Sequence, residues 1–157
     1  MTAGGPELLQ DPLAQELLAS RIPARLAYVW PDGTPRVVSL WFHWDGTDVV
    51  MATLPGAPKL KALKSGDRVA LTIDTDAPPH HVLSIRGTAD VTRPVGVVEE
   101  YAKAAVRYLG KEQGEAYTTS LPPDIRMGRI AVRPDRVVLL DFQTRLPSAL
   151  VRLQSGS

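Results

Sequence analysis

Two Asp-Gly dipeptides constrain the fold of this chain more than any other feature, because each separates segments rich in β-branched and aromatic residues. Asp-Gly between such segments is typical of a tight β-hairpin, since glycine readily adopts the positive φ that the turn requires. Asp32-Gly33 joins residues 26–30 to residues 35–44. Asp45-Gly46 then joins residues 35–44 to residues 48–53. The pattern predicts three consecutive antiparallel strands, a β-meander.

Further strands and helices are predicted along the rest of the chain. The additional strands are residues 68–74, residues 81–92 with a bulge at Gly87, and residues 129–142 with an interruption at Pro134-Asp135. The predicted helices are residues 6–19, 57–65, 96–109 and 111–120. Regular βαβ alternation is missing, which argues against a doubly wound parallel sheet. We therefore expect a mainly β (β+α) fold, an antiparallel sheet closed into a barrel with flanking helices.

The composition excludes several classes of protein. The chain has no cysteine, so disulfides and cysteine-ligated metals are excluded, and a reducing compartment, the cytoplasm, is expected. Its net charge is +1, whereas a nucleic-acid-binding protein usually has a clear excess of basic residues, so nucleic-acid binding is not expected. No run of about 18 apolar residues predicts a membrane span. The length suits one domain, residues 1–157, with its core at 21–142.

Lys59 is the strongest candidate for a ligand-binding side chain. It follows Gly56-Ala57-Pro58 in the first turn of the second predicted helix, where free backbone N–H groups and an ammonium together favour an anion. Thr53, at the end of the preceding strand, offers a hydroxyl. The alternative is a solvated lysine face shared with Lys61 and Lys64, and on spacing alone this is the commoner case.

No catalytic side chain and no metal site are predicted. The three histidines, His43, His80 and His81, have no carboxylate at metal-ligand spacing. Ser39 has neither the sharp Gly-x-Ser-x-Gly turn nor a neighbouring base. The glycine-rich motifs of mononucleotide and dinucleotide sites are also absent from the sequence.

Short motifs follow one another in order from Pro31 to Thr92. They lie in DGTPRVVSLWFHWDGTDVVMATLPGAPKLKALKSGDRVALTID, followed by VLSIRGTADV. A D-G-x-P hairpin, a strand with a W-F pair, a lysine helix and a G-x-A-x-V strand are among them. This combination resembles the pyridoxamine-5′-phosphate-oxidase-like, FMN-binding split-barrel family. The resemblance implies a six-stranded antiparallel split β-barrel, and a homodimer with the flavin in a groove between the subunits.

The resemblance also implies which residues line that groove. Those expected along the isoalloxazine ring are Val37, Val38 and Ser39. Those expected under the ribityl-phosphate region are Ala52 and Thr53. Lys59 is expected to bind the phosphate, with Lys61 and Arg36 as weaker assignments, so the resemblance favours the anion-site interpretation of Lys59.

The chain departs from pyridoxamine-phosphate oxidase itself at several positions. Pro58 stands where the oxidase has an arginine, Trp41 where it has a lysine, and Val82 where it has a ring-contacting glutamine. The arginine- and histidine-rich segment with which the oxidase binds its substrate phosphate is not evident in this chain around Asp141–Arg152. We therefore expect hydride transfer to or from another small-molecule substrate, not vitamin B6 oxidation.

Two cofactors are candidates for an oxidoreductase of this family. A protein of a different functional class, one that binds without catalysis, is the remaining alternative. FMN is expected first, from the habit of the family. The sequence is closer to small actinobacterial-type members, some of which use the deazaflavin coenzyme F420 instead. The other class is a non-catalytic module that binds a flavin or a haem, for which His80 or His81 are the candidate axial ligands.

A homodimer is also predicted on physical grounds. Trp41, Phe42 and Trp44 lie on one predicted strand and present more aromatic surface than the interior of one barrel easily holds. If exposed, they form an apolar patch of the kind that marks an interface.

Overall fold

The computed structural model describes residues 2–156, in which strands form the middle of the chain and helices flank them. The strands are β1 (Ala3–Gly4), β2 (Ala24–Val29), β3 (Pro35–Leu40), β4 (Phe42–Trp44), β5 (Val49–Thr53), β6 (Arg68–Asp74), β7 (Val82–Thr92) and β8 (Gly128–Leu140). The helices are a 3-10 helix at Pro6–Gln10, α1 (Pro12–Leu18), α2 (Lys59–Ala62), α3 (Glu99–Leu109), α4 (Lys111–Thr119) and α5 (Ser148–Ser155).

Residues 35–44 form two strands rather than one. β3 ends at Leu40 and β4 begins at Phe42, with Trp41 between them. β3 pairs with β2, while β4 pairs with β5 at the opposite end of the sheet. The order of the sheet is β3-β2-β6-β7-β8-β5-β4. Since β3 and β4 are consecutive in the chain, the two ends of the sheet meet at Trp41, as in a split barrel. The predicted β-meander is therefore wrong, although both Asp-Gly hairpins form.

The sheet has eight strands in the described part of the chain, where six were expected. One additional strand results from the break at Trp41. The other is the short β1, in which Ala3 and Gly4 pair with Val138 and Val137 of β8. A two-residue strand has no hydrophobic pattern of its own, so the sequence does not reveal it. Every named strand pair is antiparallel, which confirms the predicted fold class.

The long β7–β8 pair contains the bulge predicted at Gly87. The register shifts between Arg86 and Gly87, and Gly87 then pairs with Pro134. A Cβ at residue 87 would lie 2.2 Å from the backbone oxygen of Arg133, so only glycine fits. The same irregularity accommodates Pro134, which has no backbone N–H to donate to a ladder. The interruption predicted at Pro134-Asp135 takes the form of this bulge, since Asp135 has no partner in the register, and β8 continues through it.

Apolar side chains from alternate positions of the strands fill the inside of the barrel. Among the largest fully buried ones are Phe42, Leu26, Leu71, Ile85, Ile130 and Leu139. α1 adds Leu17 and Leu18 to this core. It begins where the Asp11-Pro12 signal predicts, because the Asp11 side chain accepts a hydrogen bond from the Leu13 N–H at 2.9 Å.

α3 packs on β4 and β5, and α4 packs on α3. Arg107 of α3 fastens this layer, since its Nε donates to the Ser20 carbonyl at 2.9 Å and its Nη2 donates to the Phe42 carbonyl. The Tyr108 hydroxyl adds a bond to the Ile22 carbonyl at 3.0 Å. None of the helices formed by residues 2–156 combines the length and apolar composition needed to cross a membrane.

Candidate functional site

α2 lies beside the end of β5 because β8 carries a glycine at that point. Gly128 pairs with Thr53, the last residue of β5. A Cβ at residue 128 would lie 2.2 Å from the Leu60 side chain, so the missing side chain leaves room for Leu60. Leu60 is buried there, and its packing places the preceding residue, Lys59, next to Thr53.

The Lys59 ammonium is half-buried and has a hydroxyl as its partner. Lys59 Nζ donates a hydrogen bond to Thr53 Oγ1 at 3.2 Å. Burial lowers the pKa of Lys59, because the charged form loses hydration. None of the ion pairs formed by residues 2–156 includes Lys59. A partly desolvated cation without a carboxylate partner favours an anionic ligand.

Part of the backbone contribution predicted for this anion site is already used within the chain. α2 has four residues instead of the predicted nine-residue span 57–65, and it follows a tight turn. The Leu60 N–H donates to the Ala57 carbonyl, and the Lys61 N–H donates to the Pro58 carbonyl, both at 3.0 Å. With these two amides engaged, an anion at this site depends mainly on the Lys59 and Thr53 side chains.

The outer edge of β3 forms a second feature of the site. β3 pairs only with β2, so backbone groups along its other edge remain without a strand partner. Val37 is 67% exposed, Ser39 is exposed, and Val38 is half-buried against the core. β3 also contacts β5. The structure thus brings β3, which carries these three residues, into contact with β5, the strand that ends at Thr53.

Two other predicted residues are placed less favourably for ligand contact. Ala52 is 4% exposed and packs against Val98 and Met127, so its side chain belongs to the core. Lys61 is exposed, and two residues along a helix turn its side chain about 200° away from that of Lys59. The structure therefore does not bring Lys61 to the Lys59–Thr53 pair.

Two arginines that the sequence analysis missed lie next to α2. Arg93 Nη2 donates to the Leu60 carbonyl at 3.3 Å, and Arg126 Nη1 donates to the Arg93 carbonyl at 3.3 Å. We call Lys59, Arg93 and Arg126 the basic patch. Like Lys59, the other members of the patch form no ion pair within residues 2–156. Arg93 and Arg126 lie in separate loops, so no sequence spacing signals their proximity.

The aromatic residues of β4 and its neighbour Trp41 are covered within the chain. Trp41 stacks on Tyr108, with ring centroids 5.3 Å apart and planes at 9°, and it also contacts Tyr101 and Tyr117. Phe42 is fully buried. Trp44 packs against the core as well. The aromatic argument for a homodimer is therefore wrong, because α3 and α4 supply the surface that it assigned to a second subunit.

The histidines do not form a metal site. No group of three or more metal-binding side chains occurs in the part of the chain that the structure describes. His80 is exposed, with its ring edge-on to Phe142 at 6.4 Å. The His81 backbone N–H donates to Thr75 Oγ1 at 2.9 Å. None of these contacts indicates axial ligation of a haem.

The fold and the site together define a split β-barrel protein that has the basic patch at α2 and an unpaired strand edge at β3. The sequence profile of the pyridoxamine 5′-phosphate oxidase family matches residues 11–140. The chain belongs to that family. Its membership confirms the resemblance drawn from the motifs between Pro31 and Thr92.

Solved structures extend the comparison. A structure described as an F420 reductase is 28% identical, with 76% of this chain and 91% of that chain covered, at a TM-score of 0.59. A conserved hypothetical protein from Mycobacterium tuberculosis is 19% identical, covering 88% and 89%, at 0.66. The FAD and heme binding protein from Mycobacterium smegmatis is 18% identical, covering 100% and 81%, at 0.58. The last two show the fold alone. No curated protein matches the chain.

Proposed function

We propose that this protein is a cytoplasmic oxidoreductase that uses a flavin-type cofactor, with Lys59 binding the cofactor phosphate. The main support for the proposal is the half-buried Lys59 ammonium. It donates a hydrogen bond to Thr53 and forms no ion pair with a carboxylate of residues 2–156. A phosphate supplies the missing negative charge through a charge-assisted hydrogen bond. The cofactor supplies the hydride chemistry, while the protein binds and orients it.

The open edge of β3 supports the same proposal. The outward-facing N–H and C=O groups of Val37 and Ser39, on either side of Val38, suit the donors and acceptors at the polar edge of a flavin ring. The exposed Val37 side chain offers apolar surface to the ring face. We assign these residues binding and orientation, and we assign no residue a role in proton transfer.

FMN and F420 use different parts of this region. FMN carries one phosphate, for which Lys59 and Thr53 suffice. F420 also carries a polyanionic glutamate tail, and the basic patch supplies two further cations, Arg93 and Arg126. The 28% identity to a structure described as an F420 reductase supports the deazaflavin as well. F420 is therefore the second candidate, favoured by a specific group of side chains.

A second copy of the chain would close the groove, and the outer face of β2 and β3 supports this dimer. Val29 and Val37 are 58% and 67% exposed on this face. Ala27 pairs with Val37 on one side and with Ala70 on the other, so small residues keep the face flat. Arg68 and Arg86 lie beside these apolar residues, and an exposed apolar patch with a polar rim is typical of interfaces.

Light scattering tests the dimer. We expect twice the chain mass for the parent and a shift toward monomer for Val37→Glu, with Glu112→Lys on α4 as a control charge change. A monomeric parent at micromolar concentration contradicts the dimer and removes the second wall of the groove.

Cofactor identity and turnover test the function directly. The purified protein is titrated with FMN and with F420, and the bound, reduced cofactor is then mixed with a panel of small electron acceptors. We expect binding of at least one cofactor and its reoxidation by an acceptor. Binding without any electron transfer supports the non-catalytic module. A protein that binds neither cofactor contradicts the proposal.

A further inference from the structure

A second cavity, of about 320 Å³, lies between α1, β4 and α3. It is separate from the Lys59–Thr53 pair. His43, in its wall, pairs with Val50 of β5, and Thr53 lies three residues further along that strand, about 10 Å away at the usual rise. Its lining residues are Gln15, Leu18, Ala19, His43, Trp44, Lys103 and Arg107. The proposed cofactor site uses none of them.

The lining has two chemically different parts. Leu18, Ala19 and Trp44 provide an apolar and aromatic wall. Lys103 and Arg107 are one helical turn apart on α3, so both cations face the same side. No aspartate or glutamate lines the cavity. A cavity of this size, mostly apolar with a few converging polar groups, has the composition of a small-molecule site.

The cations keep donors for a ligand. Arg107 uses its Nε and one Nη2 hydrogen on the Ser20 and Phe42 carbonyls, and these contacts fix the guanidinium in the wall. These contacts use two of the five guanidinium N–H donors, and Tyr108 is a further neighbour, with its ring centroid 4.8 Å from the guanidinium carbon. Lys103 pairs with Glu99 at 3.1 Å, but the two side chains are 54% and 80% exposed. An ion pair so exposed contributes little, so Lys103 is available to another anion.

We propose that this cavity binds a small organic carboxylate, with its apolar body against Leu18 and Trp44 and its charge facing Lys103 and Arg107. The ligand class follows from the two parts of the lining. Inorganic anions leave the apolar wall exposed to water, and neutral aromatic molecules leave Arg107, which forms no ion pair within residues 2–156, without a counter-charge.

His43 reports directly on an anion in the cavity. Burial lowers the pKa of His43, and the positive charges of Lys103 and Arg107 lower it further, while Glu100 and Asp45 act in the opposite direction. An anion bound beside these cations offsets their repulsion of the imidazolium. The His43 pKa is therefore expected to rise when the cavity is occupied.

The test uses 3-phenylpropionate as the probe and the full chain, with the histidine rings followed by NMR and His43 assigned by His43→Gln. We expect saturable shifts at His43 with a raised pKa, and no such change at His80 or His81. The neutral 3-phenylpropanamide and inorganic phosphate are expected to bind at least tenfold more weakly. Unchanged His43 signals at saturating probe, or equal binding of the amide, overturn the proposal.

Charge variants locate the bound carboxylate. Lys103→Gln is expected to weaken probe binding by about threefold to fivefold, and its exposed side chain makes misfolding no concern. Lys111→Gln on α4 is the matched control and should leave binding unchanged. Lys59→Ala should also leave it unchanged, which separates this cavity from the proposed cofactor site. Equal affinity of Lys103→Gln and the parent, or loss of binding in Lys59→Ala, contradicts the proposal.

Discussion

Lys59 Nζ lies 3.2 Å from Thr53 Oγ1, so the first residue of α2 is bonded to the last residue of β5. Leu60, packed over Gly128, holds the lysine in that position from the other side. The pair joins a hydroxyl and a half-buried ammonium that forms no ion pair with a carboxylate of residues 2–156. This relationship is the structural basis of the proposed phosphate contact.

Removing the hydroxyl should weaken cofactor binding without unfolding the protein. Thr53→Val keeps a β-branched side chain in β5 but removes the hydrogen bond that orients Lys59. The bond is long and acts on the cofactor through Lys59, so we expect the typical net contribution of a hydrogen bond, about 0.5–1.5 kcal/mol, and a fall in affinity of about twofold to tenfold. Cofactor titration measures the change, and Thr119→Val, at the exposed end of α4, is the control. Unchanged affinity in Thr53→Val removes Thr53 from the site.

A side chain at residue 128 should displace α2. Gly128→Val places a Cβ 2.2 Å from Leu60, and such overpacking costs about 1–3 kcal/mol of unfolding free energy. Cofactor affinity should fall with it, because Lys59 moves. Thermal unfolding and titration measure the two effects. Leu60→Ala in the Gly128→Val background should recover part of the loss, and strictly additive effects of the two changes contradict the packing argument.

Arg107 should matter for stability through its carbonyl contacts. Arg107→Ala leaves the Ser20 and Phe42 carbonyls without their charged donor, so we expect a loss of about 2 kcal/mol in the free energy of unfolding. Chemical denaturation provides the measurement. The exposed Arg136, substituted by alanine, is the control and should change stability by less than about 0.5 kcal/mol. Similar losses in both variants contradict the role assigned to Arg107.

The Glu100–Arg129 pair should make stability depend on pH. The hydrogen bond from Arg129 lowers the pKa of Glu100 below its usual 4.5, and the two side chains are 19% and 25% exposed. A lowered folded-state pKa means that the stabilisation is present above pH 4.5 and is lost as pH falls through the folded-state value. The stability difference between the parent and Glu100→Gln should therefore shrink on acidification. A difference that does not vary with pH contradicts this.

Local sequence patterns predicted most elements of this fold. Alternation located the strand at residues 68–74 to the residue, and the Asp11-Pro12 signal located the start of α1. Gly87 was identified as a bulge because glycine inside a strand is costly unless a close approach requires it. The sequence predicts one strand over residues 35–44 instead of the two that form. The break at Trp41 results from closure of the barrel, which no local sequence pattern indicates.

The candidate site was predicted only in part for the same reason. Lys59 and Thr53 lie close in sequence, so the turn between them made their contact foreseeable. Arg93 and Arg126 reach α2 from distant loops, and the tyrosines that cover Trp41 come from α3 and α4. Their contacts depend on how helices pack against the barrel. The backbone amides of α2 were expected to be free because the sequence does not show how short the helix is.

Cofactor titration of Lys59→Ala tests the central claim most directly. The variant removes a charge-assisted contact worth roughly 1.5–3 kcal/mol, so affinity for FMN or F420 should fall by about ten- to a hundredfold. Stability should barely change, and Lys64→Ala, exposed just beyond α2, should bind like the parent. Salt should weaken binding to the parent more than to Lys59→Ala. Equal affinity of Lys59→Ala and the parent would contradict the assigned phosphate site and return Lys59 to a solvated lysine face.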